Sequence, residues 1–122
     1  MTGKICTSTT PYYDSKDKKN KFKKRPVLVL GQADCGDYVV LPVSTITHRE
    51  NVDAVYDVYV DVSEYPNTGL ARNSFIRTHK QTIVSYASLT VISDLKICYP
   101  DLYNDVIDLV EKFQAELLSK AR

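Results

Sequence analysis

Three short stretches of the 122-residue sequence carry side chains that could handle a phosphate. The first is KFKKRPVLVLG, Lys21–Gly31, where Lys21, Lys23, Lys24 and Arg25 surround Phe22 and run straight into an apolar segment. Lys16, Lys18 and Lys19 precede it, with Tyr12 and Tyr13 nearby. Clustered cations gain affinity for a phosphate backbone by releasing its counterions, and aromatic rings offer faces on which bases stack. Arg25 differs from the lysines because it stands at the start of a strand. One end of its side chain is thereby fixed, and a planar fork on a rigid element suits two-pronged phosphate contact. A structural carboxylate would occupy the same fork equally well.

The second stretch is PVSTIT, Pro42–Thr47, where Ser44, Thr45 and Thr47 follow an apolar strand and end it. A hydroxyl there can donate to a phosphate oxygen, or it can close a turn. The third is SFIRTHK, Ser74–Lys80. In a strand, Arg77 and His79 share one face. An adjacent guanidinium disfavours the imidazolium, so His79 could serve as a neutral base while Arg77 stabilises developing charge. The other reading is two exposed polar residues on an edge strand. His48 and Arg49 fall in a loop and are possible substrate contacts. No GxSxG is present, and no carboxylate is obviously placed to orient the histidine.

These groups need a scaffold. Residues 3–8 read as a short strand and 9–24 as a polar, proline-containing loop. Loops of that length in compact domains tend to be functional or mobile. RPVLVL (25–30) lacks alternation, which predicts a strand buried on both faces with Pro26 at its start. Residues 32–37 form a turn, and 38–43 a second strand in which Pro42 marks a bulge or an end. Residues 44–51 are polar. Residues 54–63 alternate, with Val55, Asp57, Tyr59 and Asp61 on the solvated face. A turn at 64–69 precedes short strands at 74–78, 81–84 and 89–92. The C-terminal segment changes period: Leu102, Val106, Leu109, Val110, Phe113 and Leu117 follow helical spacing. A helix over 101–119 follows, with Pro100 before it, Asp101 as an N-cap or first-turn acid, and Lys120 and Arg122 at the cation-favouring end. Strands first and helix last make the class α+β, a small, strongly twisted antiparallel barrel or sheet with one helix packed on it.

Length allows one domain, residues 1–122. Net charge is +1, but its distribution is uneven. Residues 1–25 hold eight Lys/Arg against two Asp, and the remainder eight against thirteen Asp/Glu. That asymmetry points to a localised anion-binding surface or a basic arm. Cys6, Cys35 and Cys98 contain no CxxC, and both histidines are distant from them, so no zinc site and no cofactor is expected. Free thiols fit a reducing cytoplasm. No apolar run reaches the length of a membrane span, and no signal-peptide h-region is seen.

Taken in order, KKRPVLVLG (23–31), VVLPVST (39–45), NSFIRTHKQTI (73–83) and the C-terminal helix resemble the MazF/PemK family of bacterial toxin ribonucleases. The similarity covers roughly residues 22–118. It implies a small SH3-like barrel, also shared with the CcdB toxins, and a homodimer. It implies a metal-independent endoribonuclease that acts on single-stranded RNA, including mRNA. The 2′-hydroxyl attacks the adjacent phosphorus, leaving a 2′,3′-cyclic phosphate and a 5′-hydroxyl. Carried over, Arg25 would stabilise the phosphorane or donate a proton, with Ser44 and its neighbour Thr45 as the hydroxyls beside it. Arg77 and His79 fall where some members have an arginine and an acid, so here a histidine replaces the acid. Lys19, Lys21, Phe22, Lys23, Lys24, Thr45, Thr47 and His48 are the expected RNA contacts, with the lysine-rich loop where the family has a flexible, glycine-rich one. A cognate antitoxin is implied as partner, and contact with DNA only through it. The same architecture also serves toxins that poison DNA gyrase without cutting nucleic acid, and a degenerate homologue would keep binding alone.

Overall fold

The computed structural model describes residues 1–122. Seven strands form one antiparallel sheet: β1 (Lys4–Asp14), β2 (Lys19–Asp34), β3 (Asp37–Ser44), β4 (Asp57–Val60), β5 (Ser74–Arg77), β6 (Thr82–Ser85) and β7 (Leu89–Asp94). A single turn of helix, α1 (Leu95–Cys98), and the long α2 (Pro100–Ala121) follow. The class is α+β, as the sequence implies. Strand order is β4-β5-β3-β2-β1-β7, with β6 also paired to β3, and the sheet curls into a half-barrel. Bulges between Val29 and Gly31 and between Gln32 and Asp34 help bend β2.

The apolar run in β2 is buried on both sides, as its lack of alternation predicts. Leu28 points to the main core with Ile5, Leu41, Val43, Val60 and Ile76, closed by Leu95, Leu102, Tyr103, Val106 and Val110 of the helices. Fully burying a side chain such as Leu28, Leu41 or Ile76 contributes about 2 kcal/mol. Val27 and Val29 point the other way and pack with Cys6 and Val40, under Met1, Tyr38, Val84 and Leu89. The helix therefore covers one face of the sheet, and the opposite face is only thinly covered.

Pro42 sits within β3, not at its end, for a reason visible in the pairing. One edge of β3 runs along β2 throughout Asp37–Pro42. The other edge pairs with β6 at Asp37–Val40 and with β5 at Val43–Ser44. Pro42 falls in the gap between those partners, where a missing N–H costs no ladder bond. Gly3 docks α1: its N–H donates to Val29 O, and its carbonyl accepts from Leu95 N and Lys96 N. Its φ is 84°, and an added Cβ would lie 2.5 Å from Lys96 Cβ.

Several elements differ from their sequence-based bounds. Residues 9–24 are not a loop. They extend β1 and β2 into a long hairpin ribbon, paired from Thr9↔Lys24 to Asp14↔Lys19. The turn at its tip spans only residues 15–18. Such a ribbon is solvated on both faces, so it lacks the alternation by which a half-buried strand is recognised. The strand expected over 54–63 is confined to Asp57–Val60. The helix begins at Pro100, with Tyr99 as N-cap and Asp101 in the first turn. α1, capped by Asp94 Oδ1 accepting from Ile97 N at 3.1 Å, is too short for periodicity to find. No helix is long and apolar enough to cross a membrane.

Candidate functional site

Directly opposed residues of an antiparallel pair share a face, and so do alternate residues of one strand. Val27 opposes Pro42. Arg25 lies two residues before Val27 on β2, and Ser44 two residues after Pro42 on β3. The ladder thus brings Arg25 and Ser44 to one face, the thinly covered one, from positions distant in sequence. They line a cleft of about 720 Å³ with a floor that includes Val27, Val40 and Pro42.

Its cations are Lys23, Lys24, Arg25 and Arg72. Its hydroxyls are Ser8, Thr10, Ser44, Thr45 and Thr82. No carboxylate and no imidazole lines it. The ion pairs in the protein join Lys21 to Asp14 and Asp17 and Arg77 to Asp57, while His48 and His79 lie 3.8 Å from Glu50 and Asp57. None involves a cation of the cleft. Like charges crowded into a concavity without an anion focus a positive potential there, which favours a negatively charged ligand. Arg72 comes from the coil before β5, where the sequence offered no periodicity or motif to single it out.

Arg77 and His79 do not line this cleft. β5 ends at Arg77, one residue short of the expected 74–78, so Arg77 and His79 do not share a strand face. Arg77 opposes Asp57 across the β4–β5 ladder. Its Nε donates to Asp57 Oδ1 at 3.1 Å and its Nη2 to Asn51 O at 3.3 Å. Asp57 also accepts from Asp53 N at 2.8 Å, and its side chain is fully inaccessible. His79 Nδ1 is 3.8 Å from Asp57 Oδ1 and has no hydrogen-bond partner. Its ring packs against those of Tyr56 and Phe113, at 5.8 and 6.1 Å between centroids. Thr78, wholly buried, donates its hydroxyl to Tyr56 O at 2.6 Å. A carboxylate does stand beside this histidine. Alternation had assigned Asp57 to the solvated face, because the sequence does not show that Arg77 lies opposite.

Around this cluster, backbone N–H donors from Tyr56 and Val55 hold Asp53 below the usual carboxylate range. The hydrogen bond from Tyr56 Oη to Glu116 pushes the Tyr56 phenol up to about 12. The cluster ties β4, β5 and α2 together.

The remaining expected contacts separate. Thr45 lines the cleft. Thr47 opens onto a different depression of about 660 Å³ beside Tyr59 and Phe75, whose rings are 5.2 Å apart. His48 is exposed, with Nδ1 3.8 Å from Glu50 Oε1. Lys19, Phe22, Lys23 and Lys24 are exposed on the ribbon. Lys21 is paired with Asp14 and Asp17. That pairing raises the Lys21 ammonium and, with backbone donors, lowers the Asp14 carboxyl. No group of three or more His, Cys, Asp or Glu side chains gathers to hold a metal. No protein-family model and no curated protein matches the chain.

Proposed function

We propose that this chain is an endoribonuclease toxin of the MazF/PemK kind, with an SH3-like barrel. It cuts single-stranded RNA without a metal. The observation that carries the reading is the cleft in which Arg25 and Ser44 meet, lined by unpaired cations and free of carboxylates. Arg25 donates to the non-bridging oxygens of the scissile phosphate, and Lys23, Lys24 and Arg72 hold the neighbouring charge. Ser44, with Thr45 beside it, donates to the same phosphate. The 2′-oxygen forms its bond to phosphorus while the bond to the 5′-oxygen breaks. Solvent takes the 2′-proton and returns one to the leaving oxygen. Electrostatic stabilisation of the phosphorane is the main catalytic term available here.

The toxin reading brings with it a cytoplasmic homodimer, an antitoxin that blocks the cleft, and contact with DNA only through that antitoxin. Exposed Val55 and Tyr59 supply apolar surface that a second copy could cover. One observation also favours a second reading. No imidazole or carboxylate in the cleft can take the 2′-proton, which suits a homologue that binds RNA without cutting it. Mapping the ends of a long RNA incubated with the purified protein in EDTA separates the two. Cuts with 5′-hydroxyl and cyclic-phosphate ends support the nuclease. Intact RNA that is nevertheless bound supports the binding module and removes the nuclease.

A further inference from the structure

The β1–β2 ribbon has two unlike faces. Arg25 opposes Ser8, Lys23 opposes Thr10, Lys21 opposes Tyr12, and Lys19 opposes Asp14. By the two-residue period these pairs share one face, continuous with Val27 and Cys6 on the cleft side. Thr10, Lys23 and Arg25 line the cleft itself, so the row leads out of it toward the ribbon tip. The opposite face carries Pro11, Tyr13 and Phe22, with Lys24 as its cation, although the Lys24 side chain reaches the cleft rim.

The row is not uniform. Lys19, Lys23 and Arg25 are exposed and make no ion pair. Lys21 lies 2.9 Å from Asp14 and also contacts Asp17. Asp14 Oδ1 accepts from the N–H groups of Lys16 and Asp17 at 2.8 and 3.2 Å, closing the turn. Lys21 is therefore a strut for the tip, and the free cations stand on a braced strand pair. Alternate residues of a strand lie about 6.7 Å apart. That matches the spacing of successive phosphates along an extended single strand. Tyr12 lies on the same face and is 43% exposed, so its ring can take an unpaired base between phosphates.

We propose that this face of the ribbon is a fixed track for single-stranded RNA leaving the cleft. Arg25, Lys23 and Lys19 engage phosphates in turn, Tyr12 stacks a base, and Lys21 braces the tip without touching the strand. The track rests on the reading of the cleft as an RNA site and adds its direction and reach. A single strand fits better than a duplex, because the row is one cation wide and stacking on Tyr12 needs an unpaired base.

The experiment measures binding of 2′-O-methyl oligonucleotides, whose blocked 2′ position prevents cleavage, by fluorescence anisotropy across a salt series. Affinity should rise with length until the strand spans Arg25 to Lys19, about 20 Å, and then level off. Lys19→Gln and Lys23→Gln should each reduce the slope of log affinity against log salt by about 0.7. Lys21→Gln should reduce that slope by less than Lys19→Gln does, since the Lys21 ammonium is already engaged by Asp14 and Asp17. Tyr12→Leu should weaken binding several-fold for a normal strand and not for an abasic one. An unchanged slope in Lys19→Gln together with undiminished binding by Tyr12→Leu, while Arg25→Ala still loses binding, would overturn the track and leave the cleft reading standing. Equal or tighter binding of a blunt duplex would also overturn it. No binding by the unaltered protein would remove both.

Discussion

Asp57 and Arg77 face each other across the β4–β5 ladder, and the arginine Nε donates to the carboxylate at 3.1 Å. The pair fixes what Arg77 does. With its guanidinium also held by Asn51 O, it braces the sheet.

Asp57→Asn should therefore destabilise the fold by about 3 kcal/mol, because it leaves a mostly buried guanidinium without its anion. Arg77→Gln should destabilise in the same direction by orphaning a fully inaccessible carboxylate. Urea denaturation followed by circular dichroism measures both. A loss below about 0.5 kcal/mol for both variants would mean that the pair is not structural.

Ser44→Ala should slow RNA cleavage by about tenfold to a hundredfold, the loss of one hydrogen bond to a charged group at about 1.5–3 kcal/mol. Ser44→Thr should restore most of the rate, since it keeps the hydroxyl. Single-turnover rates on one RNA test this. A Thr variant as slow as the Ala variant would deny the hydroxyl its role.

The pH dependence of cleavage should carry no histidine signature. The cleft contains no imidazole, and His79 packs against Tyr56 and Phe113 outside it. The rate should climb steadily between pH 6 and 8 as hydroxide becomes more available, and His79→Ala should show the same profile. A plateau near pH 6–7 that disappears in His79→Ala would restore histidine as the base.

Stability should fall in acid for reasons visible at three aspartates. Asp14 is held low by Lys21, then by backbone donors; Asp53 by the N–H groups of Tyr56 and Val55; and Asp61 by Ser63. A carboxyl whose folded value lies below its unfolded value of 3.8 stabilises the fold above that pH. That contribution is lost as pH falls through the folded values. Tyr56 works in the opposite sense. Its phenol is raised to about 12, so its contribution is present below the ordinary value of 10.0 and is lost as pH rises from there toward 12. Thermal melts from pH 2 to 6 should show Asp14→Asn flattening the acid slope. Melts above pH 10 should show Tyr56→Phe doing the same there. Unaltered slopes in both variants would contradict these linkages.

The sequence displays those parts of the fold that an apolar pattern records. Val27, Leu28 and Val29 are contiguous and face two different cores. Leu102, Val106 and Val110 are spaced for one helix face and bury there. Polar pairing leaves no such record. The ribbon from Thr9 to Lys24 is exposed on both sides, so its composition resembles a loop although every residue from Thr9 to Asp14 has a partner. The candidate site divides along the same line. Arg25 and Ser44 stand out because each adjoins an apolar run of its strand, and the β2–β3 register then brings them to one cleft. Arg72 sits in coil, and Asp57 differs from a solvated aspartate only through its cross-strand partner. Neither relation is local, so neither could be seen along the chain.

On the proposed function, Arg25 in its cleft performs the chemistry. The most direct test is the single-turnover cleavage rate of one RNA in EDTA by the unaltered protein and by Arg25→Ala, with folding checked by circular dichroism. The unaltered protein should leave 5′-hydroxyl ends, and the rate should be at least about a hundredfold lower in a folded Arg25→Ala variant. Cleavage at the same sites and at a similar rate by that variant would contradict it.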